Sequence, residues 1–506
     1  MLTDPNALHE TLNSEDRSIP AGHNRSSGFS AGGNADSFNL KSAAIRRLSR
    51  AVHSLEIGAD FIAVTGAVLL AYSLYRALHI GRHASYHIME VSVVGCSAAL
   101  FYVLMLRASG AYTRATSLLR VRETERVIAA SSQLCLFAFG ISFWAEIRCP
   151  RLVFLFASVL IPILVLPEKQ LIYIIVRSLY AQGYATRRAV IYGAGLSGKR
   201  AFSVLARSPK FGIDPVAIVD DDSALIGTMV SESGYTSSRW VRVMSGPITV
   251  ELLRQLSAEV VVISSPSISA EAFAQIGVAT EDAGAALSFV PHDSLVCSAE
   301  LTYWDADGMI FASVDEQESS SIYGHLKRAF DFTVALLLLV WLSPLLILIG
   351  LAIRWTSHGP ALFTQQRVGK NGRRFELYKF RSMDATSPRY AVSPTSPLDP
   401  RITRIGAFLR RTSLDEIPQL LNVLKGDMSL VGPRPEMPFI VEQYNAVQRK
   451  RLRVEQGITG LWQISADRAH SIHENIQYDL YYIHHRNFFM DLAILLHTIG
   501  FAMRGI

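Results

Sequence analysis

Long apolar stretches and mixed polar sequence divide this chain into regions of different character. Four mainly apolar stretches are each about long enough to cross a bilayer as a helix. They lie near 57–78, 86–107, 128–147 and 152–176. Basic residues concentrate before the first stretch and between the second and third, so the positive-inside rule places both ends of the bundle in the cytoplasm. We therefore predict a four-helix transmembrane bundle over 46–180, and favour an anchor and dimerisation unit without chemistry of its own.

Predicted strands and helices alternate over the next region, 187–315. The run RRAVIYGAG is typical of a strand entering a tight turn, where Gly193, Gly195 and Gly198 fit the spacing GxGxxG. A second strand, PVAIVDDD, ends at 220–222, about where a dinucleotide-binding fold places the acid that binds ribose. We expect a Rossmann-like α/β domain. The glycines leave two interpretations open, because they suit a bound nucleotide and also suit close helix–strand packing in a domain that binds nothing.

A fifth apolar stretch, 330–353, is long enough to span the bilayer but carries Ser343-Pro344 at its centre. Proline removes a backbone donor and kinks a helix. Both flanks of the stretch are basic, which suits a helix that enters the membrane, breaks and returns to the same face. We predict a re-entrant membrane helix over 328–355, with an ordinary kinked spanning helix as the alternative.

Composition agrees with a membrane protein. Half of the residues are hydrophobic, 18% are charged, the mean hydropathy is +0.24 and the net charge is +6. A positive charge suits anionic lipid, a phosphorylated substrate or nucleic acid, and we expect no nucleic acid because the basic residues flank apolar segments instead of forming one stripe. The four cysteines include no close pair that predicts a metal cluster. Residues 1–45, rich in Ser, Asn and Gly, are expected to be a disordered cytoplasmic tail.

Candidate chemistry is concentrated in one segment, 411–435, which reads RTSLDEIPQLLNVLKGDMSLVGPRP. It places two adjacent carboxylates, Asp415 and Glu416, in strongly basic surroundings. Such a pair suits a nucleophile and a metal ligand that act on an anionic substrate. The alternative is an exposed acid pair in the first turn of a helix that Ser413 caps.

The last third of the chain carries a set of motifs in a fixed order. They are KRAFDF with Ser343-Pro344, LYKFRSM (377–383), DPRITRIGAFLRRTSLDEIPQLLNVLKGDMSLVGPRP (399–435), GITGLWQ (457–463) and DLYYI (479–483). With these motifs the region 322–506 resembles the bacterial sugar transferases, which are polyprenyl-phosphate hexose-1-phosphate transferases, also called monotopic phosphoglycosyl transferases. The complete layout resembles the large members of that family, which initiate exopolysaccharide, capsule or O-antigen synthesis. The resemblance implies a mixed α/β catalytic domain behind the re-entrant helix.

The resemblance also implies a reaction. The family transfers a sugar 1-phosphate from a UDP-hexose to undecaprenyl phosphate and releases UMP. Asp415 occupies the position of the aspartate that becomes a phosphosugar ester in a ping-pong route, and Glu416, with Asp415 beside it, would hold Mg²⁺. Glucose is the first expected sugar and galactose the second. We expect the catalytic domain to lie at the cytoplasmic face of the bacterial inner membrane, in contact with lipid. A homodimer is a further possibility.

Several basic residues and prolines are candidates for substrate binding. Arg434 matches the family position associated with uridine, and the prolines on either side would hold it in a rigid turn. Lys379 and Arg381 alternate along a predicted strand, so both could face one phosphate. For each candidate the alternative is a solvated charge or a lipid headgroup contact. The complete set is Lys379, Arg381, Asp399, Arg401, Arg410, Pro433, Arg434, Pro435 and Arg468.

Arg468 marks a departure from the family pattern. Relatives commonly continue GITGLWQ with Asn or Ser, Gly and Arg, whereas here Asp467 occupies the usual place of the arginine and Arg468 follows one residue later. Two other functions stay open. One is a membrane-anchored nucleotide-sugar oxidoreductase or dehydratase, for which the Tyr-xxx-Lys pair nearest the Rossmann-like region is Tyr323 with Lys327. The other is a non-catalytic scaffold for polysaccharide assembly.

Overall fold

The computed structural model describes most of the chain. The described ranges are 35–78, 85–112, 120–144, 151–181, 186–207, 212–233, 238–265, 268–290, 301–306, 309–314, 321–387, 399–465 and 476–502. Arg468 and the first 34 residues of the predicted tail therefore lie outside the described residues. The chain divides into Met1–Ala44 and Ile45–Ile506, and all contacts given below lie within the second unit.

Four long helices form the N-terminal bundle. They are α1 (Ala35–Leu78), α2 (Ile88–Ala108), α3 (Arg120–Trp144) and α4 (Arg151–Ala181). Each contains a segment long and apolar enough to cross a membrane, and a fifth such helix spans Ile322–Thr356. Helix α1 begins at Ala35, so the end of the predicted tail is helical. Small, aliphatic and aromatic side chains such as Ala67, Ile161 and Tyr102 are fully buried between the helices of the bundle.

A cluster of charges is buried inside this bundle. Lys169 Nζ lies 2.8 Å from Glu56 Oε1 and 3.0 Å from Asp60 Oδ2. The Tyr112 hydroxyl donates to Asp60 Oδ2 at 2.7 Å. Ionisable groups are costly at membrane depth unless they pair with one another, so this cluster ties α1 to α4 through charge as well as through apolar packing.

A Rossmann-like sheet follows the bundle, as the alternating pattern predicts. Its strand order is β3-β4-β2-β1-β5-β6, and β3 is the antiparallel edge of an otherwise parallel sheet. The elements are β1 (Arg187–Tyr192), α5 (Leu196–Arg207), β2 (Ile213–Asp220), β3 (Met229–Ser233), β4 (Ser238–Ser245), α6 (Val250–Gln255), β5 (Val260–Ile263), α7 (Ala270–Asp282) and β6 (Ala286–Phe289). An antiparallel hairpin then leads toward the last domain, with strands β7 (Leu301–Ala306) and β8 (Met309–Val314).

The C-terminal domain combines short strands with helices behind one long apolar helix. Strands β9 and β10 are antiparallel, whereas β11 and β12 are parallel. Its elements are α8 (Ser321–Thr356), β9 (Leu362–Val368), β10 (Arg374–Phe380), α9 (Arg404–Arg411), α10 (Leu420–Lys425), β11 (Ser429–Val431), α11 (Pro438–Glu442), α12 (Ala446–Arg449), β12 (Gly457–Thr459), α13 (Gln477–His485) and α14 (Phe488–Ala502), with 3-10 helices at Lys370–Gly372, Leu414–Gln419 and Lys450–Arg453.

Helix α8 continues through Ser343-Pro344 without interruption. Proline cannot donate to the carbonyl four residues earlier, which is that of Val340. The Ser343 hydroxyl donates to this same carbonyl at 2.8 Å. The Ser-Pro pair therefore relieves a backbone acceptor that proline leaves free, as membrane helices often require.

The start of α8 is held by buried polar groups of the domain that follows it. Lys327 Nζ donates to Asp491 Oδ2 at 2.7 Å, and the Tyr323 hydroxyl donates to the same oxygen at 2.8 Å. One turn on, Asp331 accepts from Ser429 Oγ at 2.7 Å. Tyr323 and Lys327 thus anchor α8 on α14, and this contact accounts for their Tyr-xxx-Lys spacing.

The bundle and the C-terminal domain share a hydrophobic core. Val121 of α3 is buried in the same cluster as Phe375 and Leu377 of β10. Close by, Arg122 donates to the Tyr481 hydroxyl at 2.6 Å, and Asn487 donates to Glu125 at 2.7 Å. Helix α3 is therefore part of the wall of the C-terminal domain, which an anchor without further contacts would not be.

Candidate active site

The adjacent acids lie at a bend between two helices. Helix α9 ends at Arg411, and Ser413 then adopts the left-handed conformation with φ +56°. That conformation is uncommon for a residue with a Cβ and is concentrated at functional sites. The 3-10 helix that follows carries Asp415 and Glu416 in its first turn, and the Glu416 amide donates to the Ser413 carbonyl at 3.2 Å. Within the described residues the Ser413 side chain makes no capping bond, contrary to the alternative of a capped, exposed pair.

Asp415 is buried, with 9% of its surface exposed. Burial raises the pKa of this carboxyl, and the negative charge of Glu416 adds to the rise. The positive charges of Lys379 and Arg410 oppose it. Asp415 is thus a carboxylate with little hydration, no salt bridge among the described residues and two nearby cations.

Glu416 has the opposite character. Its Oε1 accepts from Lys379 Nζ at 2.7 Å and from Arg434 Nη2 at 3.0 Å. Burial would raise the pKa of Glu416, but the charges of Arg434 and Lys379 outweigh this effect and hold the pKa well below its ordinary value. The two neighbouring carboxylates therefore differ, since Glu416 is paired with two cations through Oε1 and Asp415 has no salt bridge among the described residues.

Arg434 comes from the Pro-Arg-Pro corner that follows β11. Each carbonyl of the corner accepts a hydrogen bond from a different part of the domain. The three acceptor–donor pairs are Pro433 O with Gly457 N (2.9 Å), Arg434 O with Arg451 Nη2 (2.9 Å) and Pro435 O with Arg367 Nη1 (3.3 Å). Gly432, just before the corner, approaches the start of β12 very closely, because a Cβ on Gly432 would lie 2.9 Å from the Gly457 amide. Arg434 therefore extends from a turn whose backbone carbonyls are held by three separate donors.

Arg381 does not join Lys379 at the acids, which corrects the expectation that both face one phosphate. Strand β10 ends at Phe380, so the alternation of side chains stops there. Arg381 instead donates to the Ser357 carbonyl at 2.9 Å and to the His358 carbonyl at 2.7 Å, beyond the end of α8. Gly359 has φ +116°, and a Cβ there would lie 2.2 Å from Arg381 Nη1. Arg381 thus joins the end of the membrane helix to β10.

Asp399 and Arg401 bind each other. Arg401 Nε lies 2.9 Å from Asp399 Oδ1, and its Nη2 lies 2.7 Å from Oδ2. The hydrogen bonds from Arg401 lower the pKa of Asp399 to about 2. The positive charge of Arg410 lowers the pKa of both Asp399 and Asp415, so Arg410 lies near both carboxylates. Arg468 lies outside the described residues.

A model of the bacterial sugar transferase family matches residues 322–505. An uncharacterized sugar transferase of Bacillus subtilis, EpsL, is 41% identical over 174 residues, which are 34% of this chain and 85% of EpsL. The chain belongs to the bacterial sugar transferase family. The sequence motifs at 377–383 and 399–435 therefore identify its family correctly.

Two longer relatives carry specific names. An undecaprenyl-phosphate glucose phosphotransferase of Komagataeibacter xylinus is 46% identical over 189 residues, which are 34% of this chain and 35% of that protein. The galactosyl transferase CpsE of Streptococcus agalactiae is 43% identical over 197 residues, 36% of this chain and 44% of CpsE. The chain thus matches less than half of the length of either relative.

Sequence reasoning missed three polar residues that support the site of this sugar transferase. Asn422 is fully buried, accepts from the Tyr378 amide at 3.1 Å and donates to the Glu376 carbonyl at 2.6 Å, which fixes β10 and hence Lys379. Arg451 and Asp479 form a buried ion pair of 2.9 Å below the Pro-Arg-Pro corner. For Asn422 and Asp479 the available signal is a lone polar residue beside apolar ones, as in LLNVL and DLYYI, whereas Arg451 lies in the basic run RKRLR and carries no such signal.

The acid pair is a chemically suitable place for Mg²⁺. Magnesium is commonly held by one or two carboxylates together with substrate phosphates. Both ion pairs of Glu416 are made through Oε1, so a metal ion could bind through Oε2 without displacing Lys379 or Arg434. Within the described residues, no group of three or more His, Cys, Asp or Glu side chains is arranged to hold a metal by itself. The remaining ligands would thus come from substrate and water.

The glycine-rich turn of the Rossmann-like domain is engaged in internal contacts. A Cβ on Gly198 would lie 1.7 Å from the Gly193 carbonyl, and one on Gly193 would lie 2.8 Å from the Ser265 amide. Asp220 accepts from the Ala194 amide at 2.5 Å, so the acid that could bind ribose closes the turn instead. These contacts favour the packing interpretation of the glycines.

Proposed function

We propose that this protein transfers a hexose 1-phosphate from a UDP-hexose to undecaprenyl phosphate, releases UMP and so begins assembly of a surface polysaccharide. The observation that carries the proposal is the contrast within one turn between the buried Asp415 and the doubly paired Glu416. A poorly hydrated carboxylate beside two cations suits attack on a phosphate whose negative charge must be neutralised.

In the first step, an oxygen of Asp415 attacks the β-phosphorus of the UDP-hexose. The bond from this phosphorus to the oxygen bridging the two phosphates breaks, and that oxygen leaves with UMP. In the second step, a phosphate oxygen of undecaprenyl phosphate attacks the same phosphorus, and Asp415 leaves as a carboxylate. No proton transfer is needed in either step, because both nucleophiles are anions.

The surrounding residues provide charge and orientation. Lys379 and Arg434 both bind Glu416 Oε1 and can turn toward donor phosphates, while Arg410 adds positive charge near Asp415. Mg²⁺, when held by Asp415 and Glu416, would neutralise further charge on the two phosphates. The rigid corner around Arg434 would place the uridine half of the donor.

The contacts of α8 support a re-entrant helix and a site at the cytoplasmic face. Lys327, near its start, binds Asp491 of the catalytic domain, whereas Ile353, near its end, packs with Phe380 and Leu409 of that same domain. The middle is apolar and exposed, with Trp341 at 77%. A helix that crossed the membrane would carry its two ends to opposite sides, away from one shared domain. With the bundle oriented by its basic loops, the domain faces the cytoplasm of the bacterial inner membrane.

Glucose is the proposed sugar, with galactose second. Relatives named for glucose transfer and for galactosyl transfer are similarly close to this chain, at 46% and 43% identity. The experiment that decides is a donor screen in the assay described next.

The test is an assay of the full chain in membranes with sugar-labelled UDP-hexoses, Mg²⁺ and undecaprenyl phosphate. Wild type should release UMP and place label in lipid, and Asp415→Asn should reduce both by about 1,000-fold or more because the nucleophile is lost. Asp427→Asn, a partly exposed aspartate of the same domain, serves as the matched control. Equal UMP release by wild type and Asp415→Asn contradicts the mechanism. A change in NAD(P)H absorbance that is still seen in Asp415→Asn would favour an oxidoreductase. A wild-type protein that shows no turnover at all would favour a scaffold.

A further inference from the structure

Arg451 is buried to an extent that is unusual for an arginine. Only 1% of its surface is exposed, and it is the largest of the fully buried side chains among the described residues. Burying a guanidinium costs several kcal/mol unless it is paired and hydrogen-bonded. A buried arginine with this energetic cost is retained where its hydrogen bonds fix the position of another group or where it completes a core.

Three groups surround the guanidinium of Arg451. Its Nη1 donates to the Tyr444 hydroxyl at 2.6 Å, and its Nη2 lies 2.9 Å from Asp479 Oδ2. The same Nη2 donates to the Arg434 carbonyl at 2.9 Å. Its Nε has no partner among the described residues. The side chain therefore spans from α13, which carries Asp479, to the backbone of the Pro-Arg-Pro corner.

The corner depends on such donors. Pro433 and Pro435 have no backbone N–H, so the corner can be held mainly through its carbonyls. Of the three donors to these carbonyls, Gly457 contributes a backbone amide and Arg451 contributes the only fully buried side chain. The Arg434 carbonyl and guanidinium belong to one residue, so holding the first limits where the second can reach Glu416.

We infer that Arg451 is a positioning residue. It holds Arg434 so that the Arg434 guanidinium reaches Glu416 and the diphosphate of the donor. This inference rests on the proposed function, since it concerns how that reaction binds its nucleotide. Asp479 is the counter-ion that balances the buried charge of Arg451 at 2.9 Å. A solely structural role would instead make Arg451 matter for folding and not for what Arg434 does.

The variants must separate an effect on the position of Arg434 from an effect on folding. Arg451→Met alone leaves Asp479 buried and unpaired, which endangers the fold. Arg451→Met with Asp479→Leu replaces the buried pair by apolar groups, a change that is often tolerated. Arg451→Lys keeps a charge for Asp479, but a single ammonium cannot reproduce the geometry of two guanidinium nitrogens. Each variant is made in the full chain, with circular dichroism and the thermal midpoint as folding controls.

The expected result is a folded Arg451→Met/Asp479→Leu protein whose kcat/KM for UDP-hexose falls by about 10- to 100-fold, as is typical when a supporting hydrogen bond is lost. Stabilisation of the protein by added UMP should decrease in parallel, and Arg451→Lys should be intermediate. In an Arg434→Ala background the double replacement should cause no further loss of kcat/KM, because Arg434→Ala and the double replacement remove the same interaction.

An equal loss with and without Arg434, or a folded variant with wild-type kcat/KM and wild-type stabilisation by UMP, overturns the positioning role. Should the pair variant fail to fold, the Arg451→Lys cycle with Arg434→Ala decides in the same way. Failure of the proposed function is a different outcome, since wild type itself would then release no UMP.

Discussion

Two turns of this protein follow strands or helices with conspicuous polar motifs, but their polar groups are used differently. At the Rossmann-like turn, Asp220 binds the Ala194 amide and the glycines lie against neighbouring backbone. At the catalytic turn, Glu416 binds Lys379 and Arg434, which come from other elements and whose side chains remain 19% and 35% exposed.

The difference shows what distinguishes a site from a fold motif. Internal hydrogen bonds satisfy the Rossmann-like turn within a few residues, so little bonding capacity is left for a ligand. The catalytic turn gathers charge from three separate segments at one partly open place. Such convergence is costly unless a ligand or a reaction uses it.

After Asp415→Asn, the largest effect is expected from Lys379→Met. This change removes one of the two cations on Glu416 and a cation near Asp415, and UMP release should fall by about 100-fold. Lys425→Met is the matched control, because Lys425 binds the hydroxyl of Tyr378, the residue just before Lys379 in the chain. This substitution should change the rate of UMP release by no more than about twofold. Similar losses in both variants would mean that Lys379 has no special place in the reaction.

A smaller effect concerns the acid side of the pH profile. Burial raises the pKa of Asp415, so kcat/KM should fall as the pH is lowered through that raised value and the nucleophile becomes protonated. Arg410 opposes the rise, and Arg410→Ala should therefore move this limb to higher pH. Arg411→Ala, one residue on, should leave it in place. Profiles that coincide for wild type and Arg410→Ala would exclude this electrostatic role.

Substitutions at the Rossmann-like turn should change the stability of the protein instead of the rate of UMP release. Gly198→Ala places a Cβ 1.7 Å from the Gly193 carbonyl and should cost more than about 2 kcal/mol, seen as a lower thermal midpoint of the full chain. Gly195→Ala meets nothing within 4 Å and should cost less than about 0.5 kcal/mol. A large loss of nucleotide binding in folded Gly195→Ala would instead support a bound nucleotide at this turn.

A smaller effect than that of Gly198→Ala is expected from Asp220→Asn. The amide oxygen can still accept from Ala194, but it cannot also replace the second oxygen that accepts from Asp222, so the cost should be about 1 kcal/mol. The measurement is the thermal midpoint, with UMP release as the second readout. A fall in UMP release at an unchanged midpoint would show that this acid serves the reaction.

The elements of the fold could be predicted well because each is encoded locally. Apolar length predicts the four helices of the bundle and α8, and the alternation of apolar strands with glycine turns predicts the parallel sheet. Motif spacing singled out the paired acids and Arg434, which the structure brings together. Arg381 could not, since the direction of a side chain beyond the end of β10 depends on the helix end that it meets.

By itself the sequence determined the family, the apolar segments and the identity of the paired acids, because these depend on residue type and spacing along the chain. Only the tertiary structure decided which cations reach the acids. Lys379, Glu416 and Arg434 are separated by many residues, and packing alone brings their side chains within about 3 Å. It also decided that Asp415 is buried without a salt bridge among the described residues, that Arg451 lies buried behind Arg434, and that α3 completes the wall of the domain.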